Sequence, residues 1–274
     1  MLDTLVAFWY NKHGDCMKRE QGIEKRYQHI TKANDLIQKS RYSLTVQQQK
    51  IILYLISQIN PFATEFKKIK FNIQEFCKVC GIDCESGKNY SALKEHIKKI
   101  SDKSCWIRLP NGKQTLLRWI EKPYIDENNG TIEIIFDNDM KPYLLQLKEN
   151  FTKLELYYLL LFKSKYTIRL FELLESYHYK TLEPLVIKFK VEELKSILDC
   201  EKYKQFKDFN SRVLKPSIIE INKYTPYNVE YEFIKEGRKI AAIEFTKTPK
   251  DVFERLEMDM ENDNIYNKIK KLEE

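Results

Sequence analysis

One segment of this chain occurs twice. Ile69-Lys-Phe-Asn-Ile-Gln-Glu-Phe-Cys-Lys-Val-Cys80 lies over Ile187-Lys-Phe-Lys-Val-Glu-Glu-Leu-Lys-Ser-Ile-Leu198 at a constant offset of 118, without a gap. Phe76 aligns with Leu194, Val79 with Ile197 and Cys80 with Leu198, so core-type residues recur at helical spacing. Two copies of a unit of about 120 residues make a tandem pair of domains, too few for a solenoid of stacked repeats. The 274 residues are then filled by two units and short ends, and each unit is large enough to bury its own core. With 43% apolar and 32% charged residues the chain reads as folded and soluble. Only 7 glycines argue against glycine-dependent nucleotide folds. No apolar run approaches the roughly 20 residues of a membrane helix. The start, Met1 to Tyr10, carries Asp3 and no basic region, so it does not read as a signal peptide. The expectation is a cytoplasmic protein with no membrane partner.

Each copy reads as helix, strand, helix, helix, then a β-hairpin, the order of a winged helix. In the first, a short helical segment over Thr31–Ile37 precedes a helix opened by a Thr45-Val-Gln-Gln48 capping box. That helix carries Ile51, Ile52, Leu55, Ile56 and Ile59 on one face and stops at Pro61. A strand over Lys68–Asn72, a helix over Ile73–Cys80 and a helix over Tyr90–Lys103 follow. A meander of Ser104–Leu109, Gln114–Lys122 and Thr131–Phe136 turns at Pro110-Asn111-Gly112 and Asn128-Asn129-Gly130. In the second copy, Thr152-Lys-Leu-Glu155 reads as a capping box opening a helix to Phe162, and Lys165–Tyr179 as the next helix. Leu185–Lys190 is a strand, Val191–Leu198 a helix and Phe206–Tyr224 a longer helical stretch that should kink or restart at Pro216. Asn228–Ile234 and Arg238–Lys247 form a hairpin about Glu236-Gly237, with Ala241, Ile243 and Phe245 sharing a face.

The fold class expected is therefore α+β, two tandem winged-helix domains related by internal duplication. Residues 28–140 form the first and 141–250 the second. Residues 1–27 are an N-terminal extension expected to be flexible, and residues 251–274 an acidic tail.

Cysteine and histidine supply no convincing metal or catalytic centre. Cys77-x-x-Cys80-x-x-x-Cys84 resembles half a zinc site that His96 would complete, yet no second tight ligand pair follows. The repeat explains Cys80 as a core position and pairs Cys77 with Lys195, a solvated one. Without a secretory segment the six cysteines are expected to be reduced thiols. His13, His29, His96 and His178 never fall two residues apart, so the histidine pair of rolling-circle nucleases is missing. Gly81 to Asn89 only approximates a phosphate loop: it has one residue too many between glycines and Asn89 where Ser or Thr should hold magnesium. No cofactor, metal or enzymatic role is expected.

Charge points elsewhere. The formal net charge of +7 divides into +11 over residues 1–250 and −4 over residues 251–274. A basic body suits a polyanion such as nucleic acid, although surface lysines also serve solubility alone. In helix-turn-helix proteins the second helix enters the major groove. In the first copy that helix is preceded by Lys88 and Asn89 and presents Ser91, Lys94, Lys98 and Lys99, a stripe that an ordinary amphipathic helix would also show. In the second copy Lys202, Lys204 and Lys207 lead into Asn210, Ser211, Arg212 and Lys215, with Lys207, Ser211 and Lys215 on one face. Arg and Asn are the residue types that read base edges bidentately, while Lys and Ser mostly hold phosphates. The hairpin tip adds Lys235, Arg238 and Lys239, and residues 202–250 total eleven bases against six acids.

Three separated motifs carry a family likeness. Ile30-Thr-Lys-Ala-Asn-Asp-Leu-Ile37 with Tyr42 to Ile59 resembles the opening of the theta-type plasmid replication initiators, the Rep_3 (RepB-like) family. Ser164-Lys-Tyr-Thr-Ile-Arg-Leu-Phe-Glu-Leu-Leu174 is similar to the entry into that family's second winged helix. Phe209 to Asn222 resembles its recognition helix, and Gly237-Arg-Lys-Ile240 its wing. The resemblance covers residues 28–248. It implies binding to repeated sites (iterons) in double-stranded origin DNA, with the second domain as sequence reader and the first contacting backbone and mediating dimerisation. It also implies a monomer–dimer equilibrium, opening of an AT-rich region, recruitment of the host's initiator and replicative helicase, and autorepression by dimers. By motif it makes Lys165, Tyr166 and Arg169 phosphate contacts, although Arg169 is also placed to pair with Glu172 or Glu175. A winged-helix repressor and a nicking initiator are the rival functions.

Overall fold

The computed structural model describes residues 24–80, 87–177 and 184–271. Strand β1 (His29–Ala33) leads into α1 (Asn34–Lys39), the short β2 (Ser40–Arg41) and α2 (Val46–Ser57). The Thr45 capping box forms as expected: Thr45 Oγ1 accepts from the Gln48 amide at 3.3 Å, and the Thr45 amide donates to Gln48 Oε1 at 3.0 Å. Strand β3 (Ile69–Asn72), α3 (Ile73–Cys80) and α4 (Gly87–Ser101) follow, then β4 (Ser104–Arg108), β5 (Gln114–Arg118), β6 (Tyr124–Asp126) and β7 (Thr131–Ile134). A short helix α5 (Lys141–Leu144) precedes β8 (Phe151–Glu155), α6 (Leu156–Leu161) and α7 (Lys165–Glu175). The second half continues through β9 (Leu185–Lys190), α8 (Val191–Ile197) and α9 (Phe206–Phe209). A π turn (Asn210–Leu214), α10 (Lys215–Tyr224), β10 (Tyr227–Glu236), β11 (Lys239–Pro249) and α11 (Val252–Lys271) complete it.

The duplication is present in three dimensions. Sheet order β3-β7-β6 in the first half repeats as β9-β11-β10 in the second, each with the repeated strand against the second strand of a hairpin. The aligned pairs Phe71 and Phe189, Ile73 and Val191, Phe76 and Leu194, Val79 and Ile197, and Cys80 and Leu198 are all buried. The same offset lays α2 over α7. Cys77 and Lys195, expected in solvent, are buried as well. The lysine reaches this position by running its stem along the core, with its ammonium on Glu192 at 3.3 Å and over the Phe209 ring at 5.7 Å.

Three departures from the sequence reading share one cause, pairing with distant chain. Residues 29–33 are a strand rather than the start of a helix, because they pair antiparallel with Phe151–Glu155. That pairing also removes the expected capping box at Thr152: residues 151–155 alternate exposed and buried, and Thr152 Oγ1 instead donates to Asn34 Oδ1 at 2.7 Å. A domain boundary at 140/141 cuts across this pairing. Finally, β4 and β5 do not belong to the first wing. They pair with β2 as a separate sheet, and the wing is the β6–β7 hairpin.

The two halves meet at a buried charge cluster. Lys32 Nζ on β1 lies 2.5 Å from Glu172 Oε1 on α7, and Arg169 Nη1 lies 3.2 Å from Glu172 Oε2. Arg169 Nη2 donates to the Ile37 carbonyl at 3.0 Å, and the guanidinium lies 4.4 Å from the Tyr42 ring centroid. Burial lowers the Lys32 pKa, partly offset by Glu172. Burial also works against the Arg169 charge, but Tyr42 and Glu172 outweigh it and the pKa is raised.

The acidic terminal segment folds. Helix α11 buries Met258, Asn262 and Tyr266 at four-residue spacing. Asn262 Nδ2 donates to the Tyr224 carbonyl at 3.1 Å, at the end of α10, and Tyr266 Oη donates to the Tyr157 carbonyl on α6 at 2.8 Å. Arg26 stacks on the Tyr266 ring at 4.2 Å and donates from Nε to the Val79 carbonyl at 2.7 Å. The helix therefore touches both halves.

Removing Glu172 strands two buried cations. Glu172→Ala should cost about 3–5 kcal/mol, measured by urea denaturation, whereas Glu257→Ala at an exposed position of α11 should stay within about 0.5 kcal/mol.

Candidate nucleic-acid interface

Pro216 determines the shape of the second copy's groove helix. Proline has no amide to reach the Arg212 carbonyl, and its ring collides with that group in a regular helix. The chain responds with a π turn: the Lys215 amide donates to the Asn210 carbonyl, five residues back. The helix is not interrupted, so the expected kink takes this form. A π turn is equivalent to one inserted residue and rotates the helix beyond it by about 100°. Counting that inserted residue, Lys215 follows Lys207 as an i,i+7 neighbour would in a regular helix, so Lys207, Ser211 and Lys215 stay on one side. Lys202, Lys204, Lys207, Ser211, Arg212 and Lys215 are all exposed, while Phe209, Val213, Leu214, Ile218 and Ile221 pack inward. The Arg212 Nε sits 3.8 Å from Asp208 on a side chain 67% exposed, a hold loose enough to release the guanidinium to a ligand.

The wing is joined to this helix. Phe206 meets Phe233 edge-on at 4.9 Å, and Tyr231 Oη donates to Asn210 Oδ1 at 2.8 Å. Asn210 is half-buried as a result. The wing strands are longer than the sequence suggested, and the turn falls at Gly237-Arg238 rather than Glu236-Gly237. Gly237 takes φ +62°, and a two-residue loop with this conformation first calls for glycine. Ala241 is the extra residue of a bulge between the Ile234–Ala242 and Lys235–Ile240 pairs, so Ala242 replaces it beside Ile243 and Phe245 in the core. Lys235, Arg238 and Lys239 stand exposed around the tip. Among the described residues, none of Lys202, Lys204, Lys207, Lys215, Lys235, Arg238 and Lys239 has a carboxylate partner.

The first copy presents its cations differently. Ser91, Lys94, Lys98 and Lys99 are exposed on α4. Lys94 pairs with Glu127 of the first wing at 2.5 Å and Lys99 with Glu95 at 3.3 Å. Lys88 and Asn89 lie in the first turn of α4, and their side chains are outside the described residues. Sequence reasoning missed the outer face of the β3-β7-β6 sheet. There Lys68 and Lys122 flank the exposed Tyr124 ring at 5.2 and 5.5 Å, and Lys68 and Lys70 share Glu133 at 3.8 and 3.3 Å. Only the strand pairing brings these residues together, so spacing along the chain gives no signal for them.

Three residues carried over as phosphate contacts stand elsewhere. Arg169 is buried in the charge cluster and cannot reach a ligand without dismantling it; the alternative pairing with Glu172 is the one observed. Tyr166 is buried against Tyr203. Lys165 is half-buried and paired with Asp199 at 2.6 Å. Their motif resembles a ligand-binding entry because it is the start of a core helix.

Cysteine chemistry is likewise structural. Cys77 is disulfide-bonded, against the expectation of reduced thiols throughout. Burial pushes the Cys80, Cys105 and Cys200 thiols up to about 12, so they are uncharged at neutral pH. Cys84 and Gly81 to Ser86 lie outside the described residues. Among the described residues no three His, Cys, Asp or Glu side chains are grouped as metal ligands, and no helix is long and apolar enough to cross a membrane.

The comparisons with known proteins agree with this geometry. A family model described as "Initiator Replication protein, WH1" matches residues 29–175, and one described as "Initiator Rep protein, WH2" matches residues 190–246. Helix α11 lies beyond both. A replication initiation protein of Escherichia coli is 29% identical over 216 residues, which cover 76% of this chain and 66% of that protein. The crystal structure of Pi initiator protein in complex with iteron DNA matches with a TM-score of 0.69 at 22% identity, over 82% of this chain and 99% of that one. At that identity the likeness speaks for the fold.

Burial separates the two kinds of arginine and lysine. Lys239→Ala should leave the melting temperature unchanged and lower the slope of log affinity against log salt by about one on any duplex. Arg169→Ala should do the reverse, losing about 3 kcal/mol or more of stability with the folded fraction keeping the wild-type salt slope.

Proposed function

This chain belongs to the family of initiator replication proteins built on two winged helices, and we propose that it initiates plasmid replication by binding iterons in double-stranded origin DNA. The observation that carries this reading is the set of unpaired cations on the second domain. They surround Arg212 and Asn210 on a groove-sized helix, with a wing whose basic tip reaches beyond it. Phosphate neutralisation by Lys202, Lys204, Lys207, Lys215, Lys235, Arg238 and Lys239 supplies affinity that carries no sequence information. Arg212 and Asn210 supply base readout from the major groove. Phe206 and Phe209 pack the helix entering the π turn and Val213 and Leu214 bury the turn itself, so both readers stand on packed support.

The first domain follows the second along the duplex, with Lys98 and the α4 face on the backbone. Its cations are partly neutralised by Glu127 and Glu95, which supports a secondary role in affinity. In this reading bound protein opens an adjacent AT-rich segment, recruits the host initiator and replicative helicase, and as a dimer represses its own promoter. The protein acts by binding and makes no covalent bond to DNA.

Footprinting on DNA flanking the coding sequence tests the proposal. Directly repeated protected segments are expected; protection without sequence preference would overturn it. On such a site Arg212→Ala should cost about 1–3 kcal/mol at one base position and relax preference there. Equal losses on specific and random duplexes would remove Arg212 from the groove.

A further inference from the structure

An amide side chain reads adenine by offering its oxygen and its nitrogen together to one base edge. In this protein the oxygen of Asn210 is already engaged. Tyr231, on wing strand β10, donates its hydroxyl to Asn210 Oδ1 at 2.8 Å. The tyrosine ring has little freedom, since it packs at 5.5 Å from Phe233 and 6.1 Å from Phe245, and Phe233 in turn abuts Phe206 at the start of the groove helix. Burial raises the Tyr231 pKa, so the phenol stays protonated and able to donate at neutral pH. The backbone of Asn210 is equally constrained, because its carbonyl takes the Lys215 amide in the π turn.

We propose that Tyr231 is a specificity-positioning residue: it turns the Asn210 oxygen toward the wing and leaves only the amide NH2 to face the groove. Oxygen and nitrogen diverge from the same carbon, so they cannot both meet one base edge while the oxygen points at the sheet. Asn210 then reads acceptor edges. Guanine, whose major-groove edge carries N7 and O6 and no donor, is favoured over adenine, whose N6 amino group needs an acceptor. The wing thus contributes to base choice without touching a base.

This inference rests on the placing of the α9–α10 helix in the groove, and the test separates the two. Full-length wild type, Tyr231→Phe, Asn210→Ala and the double variant are each used to select sites from a randomised duplex library. Tyr231→Phe keeps the ring in the Phe233–Phe245 packing and removes only the hydroxyl. Wild type should prefer guanine at one position; Tyr231→Phe should move that preference toward adenine by about 10-fold, with other positions and the salt slope unchanged. Asn210→Ala and the double variant should lose the preference alike. If Asn210→Ala erases a position that Tyr231→Phe leaves as in wild type, Tyr231 does not set the readout. A uniform loss of affinity in Tyr231→Phe would also overturn the proposal, leaving that residue a packing role. If Asn210→Ala changes no position, the groove placement itself fails.

Discussion

The junction of β1 with α7 depends on three buried charged side chains. Lys32, Glu172 and Arg169 are each almost fully buried, and each comes from a place that the others cannot replace. Lys32 is on β1, while Glu172 and Arg169 share α7, the helix that lies over α2 at the repeat offset. Taking such ions out of water costs several kcal/mol apiece, and only good geometry offsets that cost. Here the carboxylate takes one cation on each oxygen, and Arg169 also donates from Nη2 to the Ile37 carbonyl and lays its face on Tyr42. An apolar cluster of equal volume would tolerate sliding. Directional bonds hold α7 to one position against β1, and through α7 they hold the groove helix, whose Ser217 hydroxyl lies 3.3 Å from that of Thr167.

How much of this was legible follows from distance along the chain. The Thr45 capping box and the buried faces of α2, α7 and α10 are patterns contained within one turn or one element, and the repeat at offset 118 is a likeness between two such local patterns; each appears in the structure. The β1–β8 pairing joins residues more than 100 apart and reassigns the local preferences of both segments, so Thr31 and Thr152 read as helix starts although they lie in strands. The same holds for β2, two residues long and defined only by its neighbour β4.

The candidate site shows a finer version of this limit. Exposure of Lys207, Arg212 and Lys239 was predictable from spacing, because polar residues opposite an apolar stripe face outward. Pro216 announced an irregularity but not its form, a π turn that leaves Lys207, Ser211 and Lys215 on one side. Arg169 was misplaced because a motif names residue types without saying which side of a helix becomes interior. The Tyr231–Asn210 bond could be suggested by no spacing rule, since it joins a strand and a helix through a single hydroxyl.

Helix α11 gives the molecule a direction. It begins where the long hairpin ends, next to Asn228 and Lys250, and ten residues of β10 separate that point from the basic tip, about 30 Å of extended strand. Acids that would compete for the lysines in a loose tail are pinned behind the second domain. Positive charge at one end and negative charge at the other make an electrical dipole comparable in length to the domain. In the field of a polyanion such a charge distribution experiences a torque that turns its basic tip forward, an effect that salt diminishes.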